Sequence, residues 1–581
     1  MGLVDDIRVL EAIVKTPTYR VYGVTSGRLI YRSTSEGASD IWSIDLRTLE
    51  KTRLTIGGVH GVAVPSEKSP LVIYTRDVTR GREQHQVFAI DCRGGEERKL
   101  ADFTPMRIFG MAFDGERVAF TAASEKEIAL YLVKPDGSFE KLYSINTIAS
   151  VSDLNEKYIV GSGMLRRNPL SSELFIYSFE TGEFTVYTPR NGSINKYPKL
   201  SDSRMLFETN IWGRNRLAIY DIEEEKLSEA KFSEKDYDNY NPLAHVDYGW
   251  TKDSKIWTIG SRDGRSRVFL DGKWISLPAG FVSSVALHDE KLYATHSSLM
   301  TPYRVFEVDL EKLESRVIID NRLPENIERR FGKAYFIKYK SFDGLEIPAY
   351  VAESNIASKP GPTIVYVHGG PWAEVADYWS VMIASLVALG YHVVAPNFRG
   401  STGYGEEFRL MDIGDPGGGD LEDVVHARKW AVELGIASKV AIMGYSYGGY
   451  MTLLATGRYP DIWQCGVAGA SVIDWEEMYG LSDALFKQFI DVLFAGRREL
   501  WKERSPITYV ENVNVPLCII HPQNDSRTPL KPVLKYISKL LKLGRTFEAH
   551  IVPDIGHAIV TVEDMFKILL PAIIFLRKYL K

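Results

Sequence analysis

The stretch "MGYSYGG", residues 443–449, decides the fold of the second half of the chain. It follows the apolar run "KVAI" at 439–442 and precedes the helix-like run "YMTLLATG" at 450–457. The segment from Gly444 to Gly448 matches G-x-S-x-G, whose glycines relieve crowding where a strand turns sharply into a helix. A plain loop could use these glycines only to turn. The strand before and the helix after favour a nucleophile, Ser446.

The alternation of strand and helix extends over residues 323–581. Continuously apolar strand-like runs separated by helical patterns predict a mostly parallel sheet that is covered by helices on both faces. With the serine turn, this pattern predicts an α/β-hydrolase domain. The strand-like runs read "TIVYVHGG", "HVVAPNFRG", "KVAIMGY", "QCGVAGASV", "PLCIIHPQND" and "FEAHIVPDIGH".

A serine hydroxyl needs a base, and the base needs an orienting acid. On this fold the chain order is serine, acid, histidine. Three histidines follow Ser446, and two of them, His521 and His550, fall inside strand-like runs. His557 lies in the loop "PDIGH" after the last predicted strand, where its side chain can reach back to the serine. The sequence therefore predicts His557 as the base.

The acid is expected at the end of the preceding strand. "LCIIHPQND" ends in Asp525, at the carboxyl end of a strand and near the same edge of the sheet. Asp554 is closer to His557 in sequence, but "VPDIG" reads as a turn, in which aspartate commonly bonds its own backbone. We therefore predict Asp525 as the acid.

Backbone N–H groups are expected to bind the oxyanion that develops during such a reaction. "YVHGGPW" at 366–372 follows the first strong strand of this domain, and its glycines allow N–H groups to point into the site. We predict Gly370 as one donor in preference to Gly369. The second donor is the N–H of Tyr447, the residue after the nucleophile.

Residues 24–322 follow a different pattern of short strands and polar turns. An apolar triplet, a polar loop and a second apolar run recur in seven units, which suits one four-stranded propeller blade per unit. A pair of β-sandwiches is the alternative, but seven units need a closed ring to avoid exposed edges. Residues 1–23 read as a helix that packs on the hydrolase domain. The triplets are "LIY" at 29, "VIY" at 72, "VAF" at 118, "YIV" at 158, "MLF" at 205, "IWT" at 256 and "LYA" at 292.

Charge and composition exclude several classes of partner. The net charge of −5 gives no basic surface for nucleic acid. The apolar run "ILLPAIIFL" at 568–576 is too short to span a membrane. Cys92, Cys465 and Cys518 are far apart and form no metal or disulfide pattern. This usage favours a reducing compartment, so we expect a cytoplasmic protein without nucleic-acid or membrane partners.

Four motifs behind a seven-fold β-repeat resemble the prolyl oligopeptidase family of serine peptidases. They are "HGGP" (368–371), "NFRGSTGYG" (397–405), "GYSYGGY" (444–450) and "NDSRTP" (524–529). Within that family the chain most resembles the acylaminoacyl-peptidases, also called acylpeptide hydrolases. The resemblance covers essentially the whole chain, and it is specific in the hydrolase half and only architectural in the β-repeat.

The resemblance implies an activity and a partner class. It implies release of an N-acylated amino acid from the blocked end of short peptides, together with cleavage of activated esters and no metal or cofactor. It assigns the triad to Ser446, Asp525 and His557, and the oxyanion donors to Gly370 and Tyr447. A general oligopeptidase or a carboxylesterase would keep the same triad, so both remain alternatives. A non-catalytic scaffold is a third alternative, and a homo-oligomer is left open.

The segment "SDALFKQFIDVLFAG", 482–496, carries apolar residues at helical spacing. Core packing is the default for such a stripe. Family position instead implies that it lines the pocket for the residue whose carbonyl is attacked, with Phe486, Phe489, Ile490, Val472 and Trp475 as candidates.

Arg527 stands two residues past the predicted acid. It is either a surface arginine or a substrate contact whose planar fork bonds a peptide carbonyl or carboxylate.

Overall fold

The computed structural model describes residues 2–59, 61–231, 240–242, 248–271 and 273–581. Its first element is helix α1, Leu3–Val14. No helix within these described ranges is both long and apolar enough to cross a membrane.

Seven antiparallel sheets follow α1 in the described part of the chain. The sixth has five strands and the others have four. The strands, sheet by sheet, are β1 Tyr19–Thr25, β2 Arg28–Ser33, β3 Asp40–Asp45, β4 Lys51–Arg53; β5 Ala63–Ser66, β6 Ser69–Asp77, β7 His85–Asp91, β8 Arg98–Lys99; β9 Arg107–Phe113, β10 Val118–Ala123, β11 Ile128–Val133, β12 Phe139–Ser144; β13 Ala149–Leu154, β14 Tyr158–Gly163, β15 Glu173–Ser178, β16 Phe184–Tyr187; β17 Asn195–Ser201, β18 Arg204–Thr209, β19 Arg216–Asp221, β20 Lys226–Glu229; β21 Asn241–Pro242, β22 Tyr248–Trp250, β23 Ile256–Arg262, β24 Arg265–Leu270, β25 Lys273–Ile275; and β26 Phe281–His288, β27 Lys291–Ser298, β28 Thr301–Asp309, β29 Glu314–Ile319.

The seven sheets close into a ring. Each neighbouring pair of sheets shares an apolar cluster, and a further cluster joins the last sheet to the first. At this closure the N–H of Val21 donates to Ser284 Oγ at 3.0 Å and to Thr295 Oγ1 at 3.2 Å. The predicted seven-bladed propeller is therefore confirmed, and a pair of sandwiches is not what forms.

One predicted boundary needs correction. The propeller begins with β1 at Tyr19, so the predicted start at residue 24 falls inside this strand. A β-bulge between Val21 and Gly23 shifts the register of β1 against β2. This bulge breaks the alternation of apolar residues by which a strand is recognised in a sequence.

The elements after the propeller build the hydrolase domain, all within described residues 273–581. They are α2 Glu325–Glu328, β30 Phe331–Lys340, β31 Glu346–Ser354, β32 Gly361–Val367, α3 Val381–Ala388, β33 His392–Pro396, α4 Glu406–Leu410, α5 Gly419–Glu433, β34 Ala437–Tyr445, α6 Tyr447–Arg458, β35 Gly466–Gly469, α7 Trp475–Leu481, α8 Ala484–Leu493, β36 Leu517–Pro522, α9 Leu530–Lys542, β37 Phe547–Val552 and α10 Val562–Tyr579.

The eight strands lie in the order β30-β31-β33-β32-β34-β35-β36-β37. Strand β31 runs antiparallel to both neighbours, and the six strands from β33 to β37 are parallel to one another. In β34, Ala441 and Met443 face one core while Val440 and Ile442 face the other. Because both faces are buried, the strands are continuously apolar, as the predicted doubly covered sheet requires.

Helix α1 packs on the hydrolase domain, apart from the propeller strands that follow it. Its buried residues Val9, Leu10 and Ile13 join the core cluster that contains α3 and α10. Asp6 of this helix forms an ion pair with Arg577 of α10. The propeller is thus flanked in sequence by two parts of one domain.

Candidate active site

Ser446 occupies the turn between β34 and α6 with φ +60° and ψ −121°. Such a backbone is costly for a residue other than glycine and is held only by its surroundings. A Cβ atom on Gly444 would overlap the backbone of Gly448, and one on Gly448 would overlap the carbonyl of Val367. Both glycines of the motif are therefore needed for the close approach that exposes the serine hydroxyl.

Ser446, His557 and Asp525 form a hydrogen-bonded chain. His557 Nε2 lies 2.9 Å from Ser446 Oγ, and Nδ1 lies 2.7 Å from Asp525 Oδ2. His557 and Asp525 are each only 6% exposed. The structure thus brings together the three residues that were predicted as a triad from separate loops of the sequence.

The loop after β36 holds Asp525 in place. Its Oδ1 accepts the backbone N–H groups of Arg527 at 2.9 Å and Thr528 at 2.8 Å, and Oδ2 accepts the Thr528 hydroxyl at 2.8 Å. Burial alone would raise the pKa of Asp525, but the neighbouring His557 and these hydrogen bonds lower it to about 2. The carboxylate is therefore ionised and can orient the imidazole.

The residues not chosen as base or acid, His521, His550 and Asp554, make other contacts. His521 is buried, and its Nε2 lies 2.8 Å from the carbonyl oxygen of Thr528. His550 is partly exposed on β37, 3.8 Å from Glu548. Asp554 has φ +60° in its turn and lies 3.5 Å from Arg80 of the propeller. His521 thus supports the Asp525 loop, while Asp554 contacts the other domain.

Two glycines of "HGGP" lie beside the nucleophile. A Cβ atom on Gly369 would be 3.3 Å from Ser446 Cβ, and Gly370 follows with φ +130°. Tyr447 is the first residue of α6, so its N–H belongs to the helix N–H groups that have no partner within the helix. The two predicted oxyanion donors are thus close to the nucleophile. Gly370 follows the glycine that borders Ser446, and Tyr447 directly follows Ser446.

The side chains that support this glycine loop were not predicted from the sequence. His368 Nδ1 lies 2.8 Å from the carbonyl oxygen of Gly369, and Nε2 lies 2.9 Å from Ser401 Oγ. The imidazole stacks on Phe398 at 4.3 Å. Burial lowers the pKa of His368 to about 4, so the ring is neutral at physiological pH. The motifs "HGGP" and "NFRGS" could have predicted this support, since the first supplies His368 and the second supplies Phe398 and Ser401.

The candidate pocket residues separate into two groups. Phe486 and Phe489 of α8 are partly exposed and meet edge to face, with ring centroids 5.9 Å apart. Trp475 and Ile490 expose none of their surface, and Val472 exposes 5%. These last three belong to the core cluster around α5 and α6. Core packing therefore describes these three residues better than pocket lining. Ile490 lies on the buried side of the apolar stripe on α8, and Trp475 is the buried first residue of α7.

Arg527 is not an isolated surface arginine. Its guanidinium pairs with Glu83 of the propeller, with Nε 2.9 Å from one carboxylate oxygen and Nη2 2.5 Å from the other. Arg107 of β9 also pairs with Glu83, lies 2.6 Å from Asp483 and places its guanidinium 5.0 Å from the Phe486 ring. No sequence signal connects Glu83 with Arg527, since 444 residues separate them.

A cavity of about 520 Å³ lies between the two domains at this cluster. The propeller contributes Arg32, Glu83 and Arg107 to its wall, and the hydrolase domain contributes Phe486 and Arg527. The segment that directly follows His557 also lines this cavity. The cavity is therefore lined by both domains and lies next to the loops that carry Asp525 and His557.

Comparisons with known families agree with this architecture. Residues 30–306 match the family model described as acylamino-acid-releasing enzyme-like, N-terminal domain, and residues 378–581 match the prolyl oligopeptidase family model. Residues 378–581 belong to the prolyl oligopeptidase family. The hydrolase domain that contains them carries the hydrogen-bonded serine, histidine and aspartate arrangement of a serine hydrolase.

Curated relatives from this family align over part of the chain. The uncharacterized peptidase YuxL of Bacillus subtilis is 27% identical over 336 residues, which cover 53% of this chain and 49% of the relative. The human acylamino-acid-releasing enzyme is 31% identical over 230 residues, covering 38% of this chain and 31% of the relative. The chain thus spans from about a third to about half of the length of the curated relatives it matches.

Solved structures share the whole fold at low sequence identity. A puromycin-hydrolyzing peptidase of Mycobacterium tuberculosis superposes with a TM-score of 0.83 at 16% identity, covering 98% of this chain and 96% of that one. The acylaminoacyl peptidase of Pyrococcus horikoshii gives a TM-score of 0.72 at 18% identity, covering 98% and 97%. Both the propeller and the hydrolase domain therefore share the fold of these two structures.

Proposed function

We propose that this chain is a serine peptidase of the acylaminoacyl type, which releases N-acylated amino acids from the blocked end of short peptides. The observation that carries the proposal is the hydrogen-bonded Ser446–His557–Asp525 chain next to a cavity that is lined by both domains. The match to acylamino-acid-releasing enzymes in the propeller half supports the same activity.

In the proposed reaction, Ser446 Oγ attacks the carbonyl carbon while His557 Nε2 accepts its proton. Asp525 stabilises the imidazolium, and the N–H groups of Gly370 and Tyr447 bind the oxyanion. His557 then donates the proton to the leaving amine, so the C–N bond breaks and an acyl-enzyme remains. Water attacks this ester with His557 as base, which releases the N-acylated amino acid and restores the serine.

The charges around the cavity favour a blocked substrate over a free amine. A free amino terminus carries a positive charge and needs an acidic partner, whereas an acylated nitrogen is neutral. Glu83 is already held between the cationic groups of Arg107 and Arg527. The acidic run Asp221–Glu225 forms a turn after β19, where Asp221 Oδ1 accepts the N–H groups of its own neighbours at 3.1 Å. Neither acidic feature is therefore positioned as an open partner for an ammonium group.

Parallel rates on three substrates test the proposal. We expect hydrolysis of acetyl-Phe anilide to exceed that of Phe anilide by at least about tenfold, because the free ammonium lacks a carboxylate partner. A p-nitrophenyl ester of acetyl-Phe reports the expected esterase side activity. Equal rates on the blocked and free anilides would favour a general oligopeptidase, and turnover of the ester alone would favour a carboxylesterase.

Labelling separates both enzyme classes from a scaffold without catalysis. Folded protein should react with a fluorophosphonate probe at Ser446, and Ser446→Ala should not. An unlabelled wild-type protein with an intact fold would favour the scaffold.

The state of the three cysteines is related to the cellular compartment in which we propose that the protein acts. Cys92, Cys465 and Cys518 are free and buried. Free thiols are typical of reducing compartments, which supports our proposal of a cytoplasmic protein.

A further inference from the structure

Two arginines of the first propeller blade lie directly opposite each other. Arg20 of β1 and Arg32 of β2 are register partners in the antiparallel pair, so their side chains lie on the same face of the sheet. Like charges in this position destabilise a sheet. Within the part of the chain that the structure describes, neither arginine forms a hydrogen bond or an ion pair with a carboxylate. This arrangement lowers stability without a compensating contact inside the protein.

Arg32 lines the same cavity of about 520 Å³ as Arg527 and Phe486. The charges of the other two arginines in the lining are compensated, since Arg527 pairs with Glu83 and Arg107 pairs with Glu83 and Asp483. Arg32 therefore carries the uncompensated positive charge of this cavity.

Both guanidinium groups lie near the domain interface and away from the outer edge of the blade. Burial raises the pKa of Tyr303 of β28, and the charges of Arg20 and Arg32 oppose that shift. Tyr303 packs against the core cluster that joins α1, α3 and α10. The pair therefore faces the hydrolase domain.

We infer that Arg32, with Arg20 beside it, forms a carboxylate-binding subsite for an anionic group on the acylated side of the cleaved bond. This inference rests on the proposed serine peptidase mechanism and goes beyond the proposed function, because it concerns acylated peptides that are cleaved two or three residues from the blocked end. The chemical class is a dicarboxylic acyl cap, such as a succinyl group, or an acidic side chain near the blocked end. Arginine suits this role because its planar fork bonds a carboxylate through two parallel N–H groups.

The size of the cavity sets the distance between the anion and the attacked carbonyl. A sphere of this volume is about 10 Å across, and an extended chain spans about 3.3–3.6 Å per residue. With the residue before the cleaved bond at Phe486, the cap reaches Arg32 across about two or three residues. A cap directly on the cleaved residue is too short to reach it.

Matched substrates test the subsite. We compare succinyl-Ala-Ala-Phe anilide with acetyl-Ala-Ala-Phe anilide on wild-type protein, Arg32→Gln, Arg20→Gln and the control Arg47→Gln. Arg47 lies on an exposed turn of the same blade, so it matches the charge change without lining the cavity. In the wild type we expect the succinyl substrate to have about tenfold higher kcat/KM, through KM, because a charge-assisted bidentate pair forms.

The variants decide between a subsite and a general charge effect. Arg32→Gln should bring the succinyl-to-acetyl ratio of kcat/KM close to one, while Arg47→Gln keeps the wild-type ratio. Arg20→Gln should reduce the ratio partly. Neither variant of the pair should lower the Tm, because each removes a like-charge repulsion.

Three results overturn the inference. They are equal kcat/KM for the two substrates in the wild type, an unchanged ratio in Arg32→Gln, and an equal loss of ratio in Arg47→Gln. Calorimetric binding of the same two peptides to Ser446→Ala tests the subsite without turnover. If the succinyl peptide binds more tightly there but acetyl-Phe anilide is not hydrolysed by the wild type, the proposed function fails and the subsite stands.

Discussion

The backbone of Gly81, in the loop between β6 and β7, lies directly against Gly556, the residue before His557. A Cβ atom on either glycine would overlap the backbone of the other. The same propeller loop accepts two hydrogen bonds from the loop that carries Asp525. Asn524 Nδ2 donates to the carbonyl oxygen of Arg80 at 2.8 Å, and Ser526 Oγ donates to that of Arg82 at 3.0 Å. One propeller loop thus contacts both loops that carry the acid and the base.

Gly556→Ala should therefore impair catalysis although it adds only a methyl group. The methyl would overlap the Gly81 carbonyl, so either the His557 loop or the propeller loop must shift. Displacements of about 1 Å at a reacting group can cost about 100-fold in rate, and we expect kcat to fall by at least about tenfold. Gly480→Ala is the matched control, because a Cβ atom there meets nothing within 4 Å. An unchanged kcat in Gly556→Ala would show that the contact does not position His557.

Asp525→Asn should lower kcat by about 10⁴-fold, since the amide cannot orient His557 in the required tautomer. Asp554→Asn should be mild, because this aspartate faces Arg80 of the propeller. Steady-state rates on a blocked anilide measure both effects. A large loss in Asp554→Asn with a small loss in Asp525→Asn would reverse the assignment of the acid.

Phe486→Ala and Ile490→Ala should have opposite consequences. Phe486 faces the cavity, so its loss should reduce kcat/KM on substrates with Phe before the cleaved bond by about 10- to 200-fold at nearly unchanged stability. Ile490 is fully buried, so its truncation should cost about 2–5 kcal/mol of unfolding free energy and leave substrate preference intact. Unfolding curves and a panel with Phe, Leu, Gly and Asp before the bond measure this. A preference for charged residues would contradict the pocket.

Asp412→Asn should stabilise the protein at alkaline pH. Burial, reinforced by Asp420, raises the pKa of Asp412 to about 8, while its Oδ1 accepts the Trp372 indole N–H at 3.2 Å. A carboxyl whose folded pKa lies above its unfolded value of about 3.9 destabilises the fold as pH rises from about 4 to 8. Asparagine keeps the acceptor and removes this ionisation. The Tm difference between variant and wild type should grow across that range, and parallel Tm profiles would contradict the expectation.

The propeller should act as a size filter. The cavity next to the triad lies between the two domains and has a volume of about 520 Å³, whereas a folded domain is tens of ångströms across. We expect cleavage of short acylated peptides and none at the same acylated terminus within a stable folded protein. The isolated N-terminal peptide of that protein is the positive control. Similar rates on both would mean that the propeller does not restrict access.

The sequence predicted the parts of the fold that depend on local patterns. The seven apolar triplets fall in β2, β6, β10, β14, β18, β23 and β27, the second strands of their four-stranded blades or, in the sixth, the central one. Outer strands such as β4, Lys51–Arg53, and β8, Arg98–Lys99, are short and largely polar, so no apolar signal marks them.

In the candidate site, too, the residues with a local sequence pattern were predicted and those that depend on domain packing were not. Ser446, Asp525 and His557 each follow a recognisable strand, and chain order alone relates them. The Glu83–Arg527 pair has no such signal, because it depends on how two separately folded domains meet. The stripe on α8 was ambiguous for a physical reason, since helical spacing shows which residues share a face but not which of them meets a cavity.

The packing of α1 against α10 has a consequence for biosynthesis. Residues 3–14 leave the ribosome first among the described elements, yet their partner, residues 562–579, is made last. The whole propeller is translated in between and can close its ring meanwhile, because its seventh blade joins the first without any later strand. Val9, Leu10 and Ile13 therefore remain without their partners on α10 until residues 562–579 have been made. The core around α1 is thus completed only after the propeller has been translated.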